Sequence, residues 1–281
     1  MKITFIGTGS AFTLRNWNTS LVINHEDKNL LIDAGMDVRH ALHDVDMSAK
    51  DIDAVYVTHQ HADHAGGLEW LAFMTYFSPD KRKPKMLIDG DLAGALWRGT
   101  LSGGLHCVDG RDMMLYDYFD VHKDWEAPFE WNGVPLSIHK FDHIRGATSA
   151  MQNNALVMTV PGINKKVFIT GDMKFVEDNP LYGSSDLIIH DCETGPFQSG
   201  VHAHYDQLRM LPPEVKAKML LVHYQDNIFH DRPLLTQNGH LYSISHRWSK
   251  KAEVDGFPMV GCQYGFAPKG HTIDLDEWFK S

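Results

Sequence analysis

The sequence predicts an α/β fold in which strands and helices pack in layers within one domain, with an α+β arrangement as the alternative. Short apolar runs typical of strands recur along the chain, and segments with helical spacing lie between them. No repeat, low-complexity tract or Gly/Ser linker interrupts the 281 residues, a length that suits one large domain or two small ones. We therefore predict a single domain over residues 1–281.

The individual elements follow from local patterns. Residues 2–7 alternate in polarity, and residues 20–24 and 30–33 flank a polar turn, which predicts an antiparallel hairpin. Residues 41–53 and 67–76 have the spacing of helices. The other predicted strands are residues 54–58, 85–88, 135–140, 155–160, 166–170, 186–189 and 219–222.

Two segments lack a clear period. Residues 105–131 are aromatic and acidic, and we predict a loop or lid insertion there. The segment after residue 229 contains prolines and several glycines and is predicted to be irregular.

Composition excludes several classes of protein. The net charge is −10, from 26 basic and 36 acidic residues, which argues against a large nucleic acid as partner. Three cysteines are too few and too widely spaced for a disulfide framework. No apolar run reaches the length of about 20 residues that spans a bilayer, and no signal peptide is apparent, so we expect a cytoplasmic protein without membrane contact.

The histidine content is unusual, because the chain contains 18 of them. Several predicted strands run directly into a histidine or an aspartate, and such strands deliver these side chains to one edge of a sheet. These residues are Asp33, His59, His143, Asp172, His190, Asp191 and His223.

The strongest local signal is the segment HQHADH over residues 59–64, directly after a predicted strand. His59 and His61 can converge on one ion, and Asp63 and His64 on a second. Imidazole and carboxylate together suit zinc or another first-row ion. The segment therefore predicts a metal site.

The sequence also resembles the metallo-β-lactamase superfamily and, within it, the ribonuclease Z-like phosphodiesterase branch. The resemblance covers roughly residues 2–226, and its matching segments are FIGTGSAF, NTSLVI, LLIDAG, THQHADHAGG, KFDHIRG, FITGDM, DLIIHDC and LLVHY. It implies the metallo-β-lactamase fold, a four-layer αββα sandwich with two packed sheets and outer helices. It also implies two divalent metal ions, zinc or alternatively manganese.

The resemblance carries over residue by residue to a complete ligand set. It assigns His59, His61 and His143 to one metal, Asp63, His64 and His223 to the other, and Asp172 to both as a bridge. His139 is the rival of His143, which we prefer because of the preceding Asp142 and the following Gly146.

Other residues near these positions admit more than one role. Asp33 is expected to orient a ligating histidine and not to bind metal itself. His190 and Asp191 lie where the branch has a histidine and an acid beside the site, and a satisfied core histidine is the alternative for His190.

The branch also places a proton-donating histidine about 20 residues before the last metal ligand. His202 lies 21 residues before His223, and His204 lies 19 before it. We favour His202 and keep His204 as the alternative, because Ala203 and His204 stand where the branch has Ser-Thr. The catalytic residues implied by the resemblance are therefore Asp63 and one of these two histidines.

Two other motifs do not carry a function. Gly7-Thr8-Gly9 lacks the third glycine of a dinucleotide-binding turn and precedes a hairpin instead of a helix. The cluster Lys81-Arg82-Lys83 is interpreted as a solvated loop and not as a phosphate contact.

The predicted reaction is hydrolysis of a small phosphodiester. Two metal ions would activate water for attack on phosphorus, and a histidine would protonate the leaving oxygen. The tRNA-cleaving members of the branch carry a long arm between the third histidine and the bridging aspartate, whereas residues 143 and 172 are only 29 apart here. The chain is thus more similar to the cyclic nucleotide phosphodiesterases of the branch, including phage anti-Pycsar enzymes.

Three alternatives stay open at this point: a tRNA 3′-processing endonuclease, a lactonase or other ester hydrolase, and a non-catalytic ligand sponge. The expected partner is a small anionic phosphodiester. The resemblance also implies a homodimer, with residues 105–131 as contact or lid.

Overall fold

The computed structural model describes residues 1–122, 129–226, 228, 234–235, 241–242 and 246–280. The strands, in chain order, are β1 (Lys2–Gly7), β2 (Ser20–His25), β3 (Lys28–Ile32), β4 (Ala54–Tyr56), β5 (Lys85–Leu87), β6 (Cys107–Val108), β7 (Arg111–Asp112), β8 (Asp120–Val121), β9 (Phe129–Trp131), β10 (Val134–Arg145), β11 (Ala150–Val160), β12 (Lys165–Ile169), β13 (Leu187–Asp191), β14 (Met219–Val222), β15 (Leu234–Leu235), β16 (Leu241–Tyr242), β17 (Met259–Val260), β18 (Gln263–Tyr264) and β19 (Thr272–Asp274).

Most of the helices are short. They are α1 (Val38–His43), α2 (Ala62–Ala65), α3 (Leu68–Tyr76), α4 (Gly90–Leu96), α5 (Ser102–Leu105), α6 (Leu115–Tyr118), α7 (Pro180–Ser184), α8 (Tyr205–Leu208), α9 (Pro213–Lys216), α10 (His246–Val254) and α11 (Leu275–Trp278). A 3₁₀ turn covers Ala49–Asp51, and a π-helical segment covers Trp97–Leu101. Across the described ranges, none of these helices is long and apolar enough to cross a membrane.

Two large sheets form the centre of the molecule. The first has the strand order β19-β1-β2-β3-β4-β5-β8, and the second has the order β14-β13-β12-β11-β10-β9. Apolar side chains from both, among them Phe5, Tyr56, Met158 and Ile189, pack against each other in one core. The central layers are therefore sheet against sheet.

Helices cover the two outer faces. Val55 of the first sheet packs with Leu71 of α3 in a second core, and Phe168 of the second sheet packs with Leu208 of α8 in a third. The resulting order is helix, sheet, sheet, helix. This confirms the predicted layered α/β fold and the αββα sandwich implied by the resemblance.

The structure departs from the prediction for residues 105–131. In the described part, β8 pairs with β5 at the edge of the first sheet, and β9 pairs with β10 at the edge of the second. Tyr118 and Phe119 are buried. Elements of two to four residues are too short to show a period, so the segment looked like a loop although it links the two sheets. Residues 123–128 lie outside the described residues.

The C-terminal segment is more regular than predicted. Residues 246–280 include α10 and β19, which pairs with β1 so that Ile273 lies opposite Ile3. The rest of the segment after residue 229, apart from residues 234–235 and 241–242, lies outside the described residues up to residue 245.

The basic cluster at residues 81–83 is not simply solvated. The Arg82 guanidinium donates to the carbonyls of Lys50 and Ile52 and to the carboxylate of Asp53. Those groups end the 3₁₀ turn and lead into β4. Arg82 is therefore a structural clamp, and the prediction of a solvated loop is wrong for this side chain.

Candidate metal centre

The chemistry-bearing side chains gather at the carboxyl edge of both sheets. Strands β3, β4 and β5 run parallel in the first sheet, and β12, β13 and β14 run parallel in the second. Parallel strands present their carboxyl ends at the same edge. The residues at or just after these ends are Asp33, His59, Asp172, Asp191 and His223.

The HQHADH segment forms the turn after β4 and the start of α2. His61 is the N-cap of that helix, and Asp63 and His64 lie in its single turn, both buried. Gly35 lies against this turn: a Cβ there would lie 2.4 Å from the carbonyl oxygen of Asp63. The close approach explains why glycine follows Asp33-Ala34 at this position.

A β-bulge directs His143 toward the other histidines. The register between β10 and β11 shifts between Asp142 and Ile144, which places His143 at the irregularity. Its Nδ1 lies 3.2 Å from the carbonyl of Val201, so Nδ1–H donates there and Nε2 is left with a lone pair. His139 is 3.2 Å from Ser137 Oγ and belongs to none of the clusters of ligand-type side chains in the described residues.

Besides a cluster in which Asp191 and His202 meet Asp172 and His223, two clusters of ligand atoms lie at this edge, and each has all its atoms within 4.8 Å of one another. We call them the first and the second ligand group. The first consists of His59, His61, His143 and Asp172, and the second of Asp63, His64, His223 and Asp172.

Asp172 lies between the two groups. Its Oδ2 is 3.8 Å from His59 Nε2 and 3.5 Å from His223 Nε2, and its Oδ1 is 3.3 Å from His64 Nε2. This is the geometry that a carboxylate bridging two ions would need.

The residues fit divalent metal. His64 Nε2 and Asp172 Oδ1 are buried and lie 3.3 Å apart without a well-formed hydrogen bond, and a bound cation would satisfy both atoms. Burial lowers the pKa of His59 well below its ordinary value and that of His143 to about 4, so both are neutral with available lone pairs. Burial opposes ionisation of Asp172, but His223 and His64 hold the pKa of its carboxyl well below its usual range. Neutral imidazoles around a carboxylate form a divalent-metal site.

Asp33 supports both ligand groups. It accepts from His64 Nδ1 at 2.7 Å, and its other contacts are the amide and the hydroxyl of Thr58, each at 2.8 Å. Thr58 Oγ1 in turn accepts from His59 Nδ1 at 3.1 Å. Asp33 therefore orients both ligand-type histidines through Nδ1 and turns their Nε2 atoms toward the ligand groups. Burial disfavours the charged form of His64, but Asp172, Asp33 and Asp63 raise its pKa well above the ordinary value, so metal binding would displace a proton from this residue.

We expect Asp33→Ala to weaken metal affinity by about 10–100-fold, the usual effect of removing a group that orients metal-binding histidines. Competition with a chromogenic chelator would measure the change. Asp46→Ala is the matched control, because Asp33 and Asp46 have φ angles of 60° and 57° and share the backbone cost of alanine. An equal loss of affinity in both variants would mean that backbone strain, and not the Asp33 carboxylate, is responsible.

His202 lies beside both groups. Its Nδ1 donates to Asp191 Oδ2 at 2.9 Å, and its ring stacks on that of His223 with centroids 4.7 Å apart. Burial disfavours its charged form, but the hydrogen bond to Asp191 and the charge of Asp172 raise the pKa of His202 to about 9. The imidazole is therefore protonated at neutral pH, and its Nε2 has no hydrogen-bond partner among the described residues.

His204 is engaged elsewhere. It is the N-cap of α8, where Nδ1 accepts from the amide of Asp206 at 3.2 Å and Nε2 donates to the carbonyl of Gly195 at 2.9 Å. Both ring nitrogens are thus committed to the backbone. Of the two candidate histidines, His202 is therefore the one with a ring nitrogen that has no hydrogen-bond partner among the described residues.

His190 is a satisfied core histidine. It is fully buried, donates from Nδ1 to the carbonyl of Asp191 at 2.7 Å, and accepts from the Tyr182 hydroxyl at 2.7 Å. Sequence reasoning did not find Tyr182, because nothing in the pattern around α7 links it to this histidine. Tyr182 and His190 together hold the end of β13, which carries Asp191.

The paired sheets, outer helices and histidine-aspartate edge define a metallo-β-lactamase-fold protein. The structure is similar to the metallo-beta-lactamase fold protein YhfI from Bacillus subtilis, with a TM-score of 0.69, 18% identity, and 97% of this chain and 98% of that chain covered. It is also similar to the short form of human tRNase Z, with a TM-score of 0.64, 16% identity, and coverage of 98% and 99%.

Sequence comparison narrows the class to one family. Residues 1–246 match the family described as anti-Pycsar protein Apyc1. A relative with that name from Bacillus phage vB_BsuM-Goe3 is 34% identical over 240 residues, which cover 81% of this chain and 90% of the relative. The chain belongs to the anti-Pycsar Apyc1 family. The resemblance noted from the sequence is thereby confirmed.

Proposed function

We propose that the chain is a dinuclear metal-dependent phosphodiesterase that hydrolyses a 3′,5′-cyclic nucleotide. The observation that carries the proposal is the pair of ligand groups sharing Asp172, with His202 held on Asp191 beside them. Membership of a family named for opposing Pycsar supports the same conclusion. So does a diphosphatase of the PhnP family among the proteins with a similar fold.

Each ligand group would bind one of the two metal ions that hydrolysis needs. When bound, two divalent ions, zinc or alternatively manganese, would lower the pKa of water and neutralise charge developing on the phosphoryl oxygens. One ion would be held by His59, His61 and His143, and the other would be held by Asp63, His64 and His223. Asp172 would bind both ions. Asp33 keeps the imidazoles of His59 and His64 oriented with their lone pairs toward the ions.

His202 supplies the proton. A ribose alkoxide is a poor leaving group, so its departure needs an acid within hydrogen-bond reach. Asp191 anchors Nδ1 of His202 and leaves the opposite nitrogen, Nε2, to protonate the leaving oxygen. A lactonase would depend less on such a donor, and a ligand sponge would not need one.

The tRNA-processing alternative is less well supported. The chain between His143 and Asp172 consists of the end of β10, the whole of β11 and β12, and their short turns. An arm that grips tRNA has no place in this fully described stretch. A small phosphodiester is the substrate that the site and the net charge of −10 favour.

We expect the purified chain, loaded with zinc or manganese, to turn over at least one of the 3′,5′-cyclic nucleotides with adenine, guanine, cytosine or uracil. Chromatography of the nucleotide products would measure it, and excess chelator should stop the reaction. Hydrolysis of bis-p-nitrophenyl phosphate without turnover of any cyclic nucleotide would contradict the assigned substrate but leave the phosphodiesterase chemistry intact.

The proposal includes a homodimer in the cytoplasm. The homodimer comes from the resemblance of the chain to its branch, and the cytoplasmic location is the expectation from its composition. Light scattering of the purified protein and fractionation of the producing cells are the corresponding measurements.

A further inference from the structure

A cavity of about 330 Å³ lies at the carboxyl ends of β5 and β8, against helix α4. Its walls come from four places: the end of β5, helix α4 with the following π-helical turn, residues 114–116, and the end of β8. Small-molecule sites in proteins begin at about this size. The proposed reaction does not use the cavity.

The strand order places this cavity close to the first ligand group. Strands β4, β5 and β8 are neighbours and run parallel. Ile88 and His122, which line the cavity, therefore follow the same sheet edge as His59. Adjacent strands are about 4.8 Å apart, so the cavity begins one to two strands, about 5–10 Å, from the turn that carries His59.

An ion pair also connects the start of α4, the helix that forms part of the cavity wall, to the second sheet. Lys140 Nζ lies 2.8 Å from the carboxylate of Asp89, the N-cap of α4. Lys140 precedes His143 on β10 by three residues, about 10 Å along a strand. Both sheets thus place the end of β5 and the start of α4, where the cavity begins, about 10 Å from the elements that carry the ligand groups.

The residues that line the cavity suit a flat aromatic heterocycle with polar groups at its edge. Gly90 and Gly94 leave one wall almost without side chains, and the aromatic rings of Trp97 and Tyr116 form part of the rest. Arg98 lines the same cavity and has no hydrogen-bond or ion-pair partner within the described ranges. Trp97 and Arg98 begin the π-helical turn, a distortion found frequently at functional sites.

We infer that this cavity is the subsite for the nucleobase of the substrate. Aromatic faces stack on any base, and a guanidinium donates to acceptors on the base edge. A phosphate is the weaker candidate, because the metal centre takes the phosphodiester and Arg98 is a single cation among largely apolar walls. The inference rests on the proposed function and adds where the rest of the nucleotide binds.

Gly94→Leu tests the subsite by filling it. A Cβ at residue 94 would first meet the guanidinium of Arg98 at 3.2 Å, the far end of a flexible side chain, so leucine can enter the cavity without striking backbone. We expect KM for the cyclic nucleotide to rise by about 5–100-fold, the range that loss of base stacking gives, with kcat nearly unchanged. Arg98→Gln, an exposed change, should raise KM in the same direction by a smaller factor.

The controls separate loss of the subsite from damage to the enzyme. Gly103→Leu is matched, because a Cβ there meets nothing within 4 Å, and it should behave as wild type. Cyclic 1,3-propanediol phosphate keeps the phosphodiester ring and has no base, so Gly94→Leu should hydrolyse it at the wild-type rate. Unchanged KM for the cyclic nucleotide in Gly94→Leu, or equal losses on both substrates, would overturn the inference.

Calorimetry can measure nucleotide binding at the cavity even if the chain does not hydrolyse cyclic nucleotides. Should the wild type not hydrolyse any cyclic nucleotide, binding of adenosine 5′-monophosphate is compared between wild type and Gly94→Leu. Binding to the wild type that weakens at least about 5-fold in the variant supports a base subsite without the reaction. Equal binding, or none to the wild type, refutes the subsite itself.

Discussion

Asp172→Ala is expected to abolish hydrolysis of the cyclic nucleotide and to leave the purified chain with one bound ion or none instead of two. Asp172 is the one residue shared by both ligand groups, with carboxylate oxygens 3.5 Å from His223 Nε2 and 3.3 Å from His64 Nε2. If the two groups hold two ions as proposed, its loss would remove a ligand from each ion and the negative charge between the two cations. Elemental analysis of reconstituted protein and a turnover assay would be read side by side.

Asp178→Ala is the control for this change. Asp178 lies six residues further along the chain and is exposed. It should keep both ions and full activity. Near-wild-type turnover in Asp172→Ala with two ions still bound would remove the bridging assignment, and a wild-type chain that never binds more than one ion would remove the dinuclear site.

The site was predictable to the extent that it depends on strand ends. Apolar strands such as β12 and β14 show as short hydrophobic runs, and a ligand-type residue that follows within three positions, Asp172 or His223, lies at the sheet edge. The backbone there was not predictable. His223 has a φ of 62°, a strained conformation that only the surrounding structure imposes.

The choice between His139 and His143 shows where sequence reasoning ends. The two are four residues apart, and in a regular strand their side chains would lie on the same face. The bulge between Asp142 and Ile144 separates them, and a bulge is set by how β10 pairs with β11. No local pattern around His143 contains that information.

The choice between His202 and His204 could not be made from the sequence either. Their distances of 21 and 19 residues from His223 fit the branch almost equally well. What distinguishes them is tertiary and capping geometry: Asp191 meets His202, whereas His204 caps α8. Residues 105–131 escaped prediction for a related reason, since strands as short as β8 and β9 depend on the neighbours that complete their sheets.

His202→Ala is expected to lower the rate on a cyclic nucleotide by about 10²–10⁴-fold while both ions stay bound. The imidazole is protonated, its Nδ1 is fixed 2.9 Å from Asp191 Oδ2, and it belongs to neither the first nor the second ligand group. Its removal should therefore take away the proposed acid and leave both groups complete. The same variant should lose far less on bis-p-nitrophenyl phosphate. Its leaving group is a stable phenolate that departs with little protonation.

The ratio of the two losses, not either loss alone, identifies the acid. His204→Ala provides the comparison, because its ring caps α8 and its removal should cost about 1 kcal/mol of unfolding free energy and reduce both activities equally. A large ratio for His202→Ala beside a ratio near one for His204→Ala would assign the proton to His202. Equal losses on both substrates for His202→Ala would mean that His202 only positions other groups. The proton would then have to come from water. His190 could not supply it, because its two ring nitrogens are already hydrogen-bonded to Tyr182 and to the Asp191 carbonyl.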